Sequence, residues 1–116
     1  MAQSLNYSLR DHDGLNILDI SGDLTSNTSD SFKSVVYNLT ERDNLLINAE
    51  KISFVTCGGL NALLEVSFFA RDKGKRVVIV AADNDLMEQV DYIEAYRHLL
   101  FASSVEEGYH KIELYT

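Results

Sequence analysis

Apolar residues along this chain recur at two periods, and the changes of period mark its elements. Asn6 to Arg10 alternates weakly, which predicts a short edge strand. Asp13-Gly14 is a turn signal, and Leu15 to Ile20 (Leu-Asn-Ile-Leu-Asp-Ile) reads as a second strand forming a hairpin with the first. Gly22-Asp23 is expected to end it. Thr25 to Asp30 collects residues that cap helices, and Phe32, Val35, Val36 and Leu39 then form one stripe at helical spacing. Leu45-Leu46-Ile47 predicts a short buried strand.

After Gly58-Gly59, Leu60 to Arg71 carries apolar residues over much more than the ~100° arc that a helix covering one sheet face needs. Neighbouring helices or a partner must bury the surplus. Lys73-Gly74-Lys75 is a helix stop. Val77 to Ala82 is continuously apolar, the mark of a central strand buried on both faces. Asp83-Asn84-Asp85 can cap a third helix carrying Leu86, Val90 and Ile93. Leu99 to Ala102 predicts a short strand. Ser104-Val105-Glu106-Glu107 fits a capping box for a last helix with Val105, Tyr109 and Ile112 on one stripe. Strands alternating with helices imply right-handed crossovers. The expected fold class is α/β, with a mostly parallel sheet of four to five strands and about four helices.

At 116 residues the chain is expected to be one domain over residues 1–116, with 46% hydrophobic residues to build a core. Ten basic against 18 acidic residues give a net charge of −8. Residues 83–116 hold 2 basic and 8 acidic residues, so most of that excess lies near the C-terminal end. Binding to phosphate backbones needs Lys and Arg, so neither nucleic acid nor an anionic membrane is an expected partner. One basic group stands out: Arg71, Lys73, Lys75 and Arg76. It reads either as a helix C-terminus with cations suited to the dipole or as a contact for an acidic partner. No apolar run reaches the ~18–20 residues of a membrane span, and Met1 to Arg10 lacks the pattern of a secretory signal. A lone cysteine, Cys57, cannot form an internal disulfide, which suggests a reducing, cytoplasmic setting.

Candidate chemistry is sparse. Cys57 precedes a helix start, where a thiol can become reactive, but there is no second cysteine to resolve an oxidised one. Gly58-Gly59 has no GxxxxGK[ST] around it, and turn geometry explains the pair more cheaply than a phosphate cradle. His12, His98 and His110 are widely spaced and show no metal-ligand pattern. No cofactor, metal or catalytic residue is expected.

Three segments carry a resemblance: Ile20-Ser21-Gly22-Asp23-Leu24, then Ile52-Ser53-Phe54-Val55-Thr56-Cys57-Gly58-Gly59-Leu60, then Lys73-Gly74-Lys75-Arg76-Val77-Val78-Ile79-Val80. With the element order, they resemble the STAS domain of bacterial anti-sigma-factor antagonists. That family's signature is an apolar strand end followed by Asp-Ser-Ser-Gly-Leu or Asp-Ser-Thr-Gly-Leu. The resemblance implies a regulatory, non-enzymatic binding module whose partner is a histidine-kinase-like ATPase anti-sigma factor or a related switch protein. In that family the partner phosphorylates one of the signature hydroxyls, and the added charge disrupts docking. Here Thr56 replaces the Asp, Cys57 stands at the first Ser position and Gly58 at the second hydroxyl position, while Gly59 and Leu60 keep the pattern. An Asp common near the end of the preceding strand is matched by Asn48.

The resemblance places a partner face on Asp23, Thr25, Thr56, Cys57, Gly58, Gly59 and Asn61. Three readings stay open. The switch is lost; or it has moved to Thr56 or Ser53; or the chain is a STAS accessory subunit of a lipid-transport ABC system, whose Asp-Thr-Gly-Gly-Leu variant Cys57-Gly58-Gly59-Leu60 also resembles. The acidic C-terminal segment and final helix favour the antagonist-like class. On this reading a serine restored at position 58 is expected to return a hydroxyl to the signature.

Overall fold

The computed structural model describes residues 5–92 and 98–115. The element order is β1 (Leu5–His12), β2 (Leu15–Leu24), α1 (Ser29–Thr40), β3 (Leu45–Val55), α2 (Cys57–Asp72), β4 (Val77–Val80), α3 (Asn84–Tyr92), β5 (Leu100–Ala102) and α4 (Val105–Tyr115). The five strands form one sheet in the order β1-β2-β3-β4-β5. β1 is antiparallel to β2, and the other pairs are parallel. The expected α/β class and mostly parallel sheet are therefore the observed ones. Asp13 and Gly14 both have positive φ, 50° and 88°, the geometry a two-residue hairpin turn requires. Among the described residues, no helix is long and apolar enough to cross a membrane.

Helices α1, α2 and α3 cover one face of the sheet, and α4 covers part of the other. The first core joins Leu18, Ile20, Ile47 and Ile79 to Phe32, Val36, Leu63, Val66 and Val90. The second joins Leu15, Ile17, Leu46, Val78 and Val80 to Ile112. β4 contributes to both, and all four of its residues are buried, as its continuous apolar run predicts. The surplus apolar surface of α2 is mostly met by neighbours. Phe69 stacks on Tyr37 of α1 at 4.4 Å between ring centroids, while Phe68 remains 40% exposed.

Three boundaries depart from the expectations. β2 does not stop at Gly22-Asp23 but continues to Leu24. β3 is not three residues but eleven. Its pairing with β2 runs Asp19↔Asn48, then Ser21↔Lys51, Gly22↔Ile52, and Asp23↔Phe54, so β3 gains one residue on β2 at each of two bulges. Each extra residue resets the alternation, and burial falls on Ala49, Ile52 and Val55, three apart. That spacing belongs to neither a strand nor a helix, which is why the pattern hides the strand. The capping box is also displaced. Ser104 Oγ accepts the Glu107 N–H at 3.2 Å, but the Glu107 carboxylate turns back to Ser103, accepting from its Oγ–H at 2.7 Å and its N–H at 3.3 Å. Asp83 caps α3 as expected, its Oδ1 accepting from Leu86 N–H at 2.9 Å. Ile93 lies outside the described residues.

On the α4 side, the 11-residue helix spans only about 16 Å and leaves the upper part of β2 and β3 uncovered. That area is polar. Arg10 donates to both Asp19 oxygens, the Nη2–Oδ1 bond being 2.9 Å, and Asn48 Nδ2 donates to Asp19 Oδ1 at 2.7 Å. These bonds, Arg10's first, hold the Asp19 carboxyl below its ordinary value of 3.8. A carboxyl lowered in the folded state stabilises above its unfolded value and loses that contribution as pH falls through the folded one. Asp19→Asn should therefore lower the thermal midpoint at neutral pH. The gap to the parent protein should close below pH 3.8; a gap independent of pH would show that the charge is not involved. Amide exchange should be slowest in Val77–Val80 and Leu45–Ile47, the strand segments buried deepest. Rapid exchange in both would contradict this sheet order.

Candidate partner-binding site at the start of α2

The signature segment lies where β3 passes into α2 with one residue between them. Thr56 is the N-cap: its φ and ψ are −95° and 173°, and its Oγ1 accepts the Gly59 N–H at 3.2 Å. Its N–H donates to the Leu24 carbonyl at 3.1 Å, and Leu60 N–H closes the first helical bond on Thr56 O at 2.8 Å. The helix start is thus held against the end of β2. This contact explains both glycines. A Cβ on Gly59 would lie 2.1 Å from the Leu24 carbonyl oxygen, and one on Gly58 would lie 2.7 Å from Ser26 Cβ.

Ser26 belongs to the loop between β2 and α1, which folds on its own hydroxyls. Thr28 Oγ1 accepts from Thr25 N–H at 2.9 Å and donates to the Asp23 carbonyl at 2.8 Å. Asn27 N–H donates to Thr25 Oγ1 at 3.1 Å, and Ser29 Oγ donates to the Ser26 carbonyl at 3.1 Å. The polar cluster does not cap α1 as expected; Thr28 is the N-cap residue, but its side chain makes no cap bond. The hydroxyls are spent shaping the loop instead.

The named residues separate into two groups. Cys57 and Asn61 are exposed, Asp23, Thr56 and Gly58 are half-buried, and all lie at this end of the sheet. Thr25, 1% exposed, and Gly59 are buried, so they shape the surface without presenting side chains on it. Two further residues border this group, Ser26 within the expected Asp23–Asn27 contact loop and Phe54, which no spacing singles out. Exposed Ser26 covers Gly58, and Phe54, 55% exposed, stands two residues before Thr56. A cleft of about 250 Å³ adjoins Phe54 between β3 and α3, where Gln89 Nε2 donates to the Val55 carbonyl at 3.1 Å and Asp83, Asp85 and Glu88 line the wall. Phe54 could have been found only by knowing the bulge that turns it outward.

The serine imagined at position 58 meets a steric obstacle. Its Cβ cannot be placed without moving Ser26, whose Cα is also only 3.0 Å away. His12 and His110 both pack on the Tyr109 ring, at 5.4 and 6.0 Å between centroids, and His98 packs on Phe68. Among the described residues, no three His, Cys, Asp or Glu side chains are grouped to hold a metal ion.

Backbone crowding is costlier than crowding a movable loop. Gly59→Ala should destabilise by about 3 kcal/mol and Gly58→Ala by about 1–2 kcal/mol in urea unfolding, the range typical of overpacking. Equal, negligible costs would mean that α2 does not press on Leu24.

Comparison with known proteins places this geometry. A family model described as the STAS domain matches residues 6–108. An anti-sigma factor antagonist from Mycobacterium paratuberculosis superposes with a TM-score of 0.82 at 14% identity, covering 95% of each chain. A STAS-domain anti-sigma-factor antagonist protein from Planctomyces limnophilus gives 0.77 at 9% identity, over 92% of this chain and 97% of that one. The Bacillus cell fate determinant SpoIIAA, in its phosphorylated form, gives 0.67 at 12% identity, over 92% of this chain and 99% of that one. No curated protein sequence gives a significant match. The element order, the cap at Thr56 and the family match over residues 6–108 lead to one conclusion: this chain belongs to the STAS domain family.

Proposed function

We propose that this protein is a regulatory binding module of the anti-sigma-factor-antagonist kind. It docks through the loop from Asp23 to Asn27, the segment from Thr56 to Gly59 and Asn61 on a histidine-kinase-like ATPase or a related switch protein. It acts in the cytoplasm by binding, not by catalysis. The usual hydroxyl switch is absent, so the protein behaves as a permanently unphosphorylated antagonist. The supporting observation is the contact between Gly58 and Ser26. The second signature position carries no side chain, and the neighbouring loop has closed over it. The first carries the Cys57 thiol. Thr56 keeps a hydroxyl, but its oxygen is engaged in capping α2, and phosphoryl transfer depends on accurate positioning of the attacking oxygen.

The test pairs this protein with the kinase-like ATPase encoded nearest to its gene. Asn61→Arg should weaken binding at least about tenfold, since a cation and added bulk enter the contact, without changing the thermal midpoint. After incubation with that ATPase and ATP, the intact mass should stay unchanged. A stoichiometric gain of about 80 Da at Thr56 or Ser53, one phosphoryl group, would show that the switch has moved instead of being lost. Stable association with a transporter ATPase, and none with a kinase-like one, would replace this reading with the transporter-subunit one.

A further inference from the structure

β3 outruns its parallel neighbour. β4 pairs with it from Leu45↔Val77 to Asn48↔Val80, so residues 49–55 continue without a strand on that side. Ala81 then turns to positive φ, 59°, and leads the chain away to α3. The side chain of Gln89 takes part of the missing strand's place, donating from Nε2 to the Val55 carbonyl at 3.1 Å. What remains open between β3 and α3 is the cleft of about 250 Å³. Its floor is apolar, formed by the buried residues Ala49, Ile52, Val55 and Leu86. Its rim carries the exposed carboxylates of Asp83, Asp85 and Glu88 and the exposed ring of Phe54.

Folding accounts for part of this set. Asp83 Oδ1 caps α3, and Asp85 lies in the first turn of that helix, where negative charge suits the dipole. Glu88 lies past that turn, and the Phe54 ring is outside the core that Ile52 and Val55 join, so neither serves a cap or the core. The cleft is smaller than the ~300 Å³ at which small-molecule sites begin, which suits one long side chain. Three features select that side chain. An apolar floor takes a methylene stem, and carboxylates at the rim meet a cationic head kept at the surface, the way Lys and Arg side chains divide themselves between apolar surface and water. The aromatic ring beside those carboxylates favours guanidinium over ammonium, because the planar group stacks on a ring and also donates two parallel bonds to a carboxylate.

We propose that this cleft receives an arginine side chain of the protein partner, its stem on Ile52, Val55 and Leu86 and its guanidinium at the rim carboxylates and the Phe54 ring. The inference rests on the binding-module reading above and adds the chemistry of the contact. The cleft is continuous with that docking face: Phe54 stands two residues before Thr56, and Val55, whose carbonyl Gln89 holds, directly precedes it. A net charge of −8 steers a basic partner surface towards the domain.

Two measurements on the full chain test this. The first titrates acetyl-Leu-Arg-Leu-amide, and the same peptide with glutamine in place of arginine, and follows amide NMR shifts. The arginine peptide should give saturable shifts at residues 52–55 and 86–89 in the millimolar range. The glutamine peptide should bind at least about fivefold more weakly, and Glu88→Lys and Phe54→Ser should each weaken the arginine peptide by about as much. Both substituted positions are exposed, so the thermal midpoint should not move. Absent or non-saturable shifts, shifts spread over other acidic surface such as Asp13 and Asp43, or equal binding of the two peptides would overturn the proposal. The second measures binding to the kinase-like ATPase, which Glu88→Lys and Phe54→Ser should each weaken at least about tenfold. Binding lost in Asn61→Arg but unchanged in both cleft variants keeps the binding-module reading and overturns the arginine contact. Saturable binding of the arginine peptide at the cleft, with no association of the ATPase with the parent protein, overturns the choice of ATPase and supports the arginine site.

Discussion

The Leu24 carbonyl fixes the geometry of the functional end of this domain. β2 and β3 run parallel and end side by side, Leu24 opposite Val55. α2 begins one residue beyond Val55, and the loop to α1 leaves directly from Leu24. A helix start and a loop must therefore occupy the same small volume at the sheet's edge. The Thr56 N–H bond to Leu24 O draws the helix in, and only residues without a Cβ fit at the two closest points. The signature's Gly-Gly is thus explained by packing before any partner is considered. The same packing determines what this end of the sheet presents to solvent. With Gly58 bare, Ser26 lies over the helix start, and the surface is a joint property of two segments about thirty residues apart.

The two bulges in β3 follow from this arrangement. To stay beside Asn16–Leu24 of β2, nine residues, β3 spends eleven, and the two extra residues place Phe54 outward beside the signature while Ile52 and Val55 stay in the core. A bulge next to a binding surface commonly re-aims a side chain in this way. The opposite face shows the complementary economy. α4 is too short to cover β2 and β3 completely, and where it stops the inward-facing positions change from Leu15 and Ile17 to Asp19 and Ser21. Arg10 and Asn48 then satisfy the carboxylate that an apolar contact would otherwise have replaced.

How much of this was legible in the sequence depends on whether local pattern or tertiary fit decides each feature. The stripes of α1 and α2, the Asp13-Gly14 turn and the Asp83 cap are local and appear as read, while the apolar run from Val77 to Ala82 is strand only to Val80, where Ala81 turns to positive φ. The second half of β3 was not legible, because Asn48 to Val55 carries a three-residue burial period created by pairing with β2. The hydroxyls of Thr25, Thr28 and Ser29 were assigned to capping because their residue types suit it. Which acceptor they serve depends on a loop path that no spacing encodes. The resemblance groups Asp23 with Thr56 to Asn61, and these residues lie where β2 and β3 end and α2 begins. It did not distinguish residues that face outward, such as Asn61 and Cys57, from Thr25, which supports them from beneath. Ser26 falls inside the expected Asp23–Asn27 contact loop, but its packing over Gly58 depends on a tertiary fit that no spacing encodes.

The two ends of α2 lie beside groups of opposite charge. α2 is 16 residues long, about 24 Å, so its ends are separated by more than two Debye lengths at physiological salt. Exposed charges at one end are screened from the other. The acidic cleft of Asp83, Asp85 and Glu88 near the signature and the basic rim of Arg71, Lys75 and Arg76 can therefore coexist without neutralising each other. They also coexist without much mutual stabilisation, so folding has little to gain from keeping the cations together. The helix stop needs only a glycine and a chain reversal, and Gly74 at positive φ, with the Gly74 and Lys75 N–H bonds back to Arg71 and Ala70, supplies both. A single cation would suit the dipole at that point. Arg71 and Lys75 carry positive charge there, which suits the negative end of the α2 dipole.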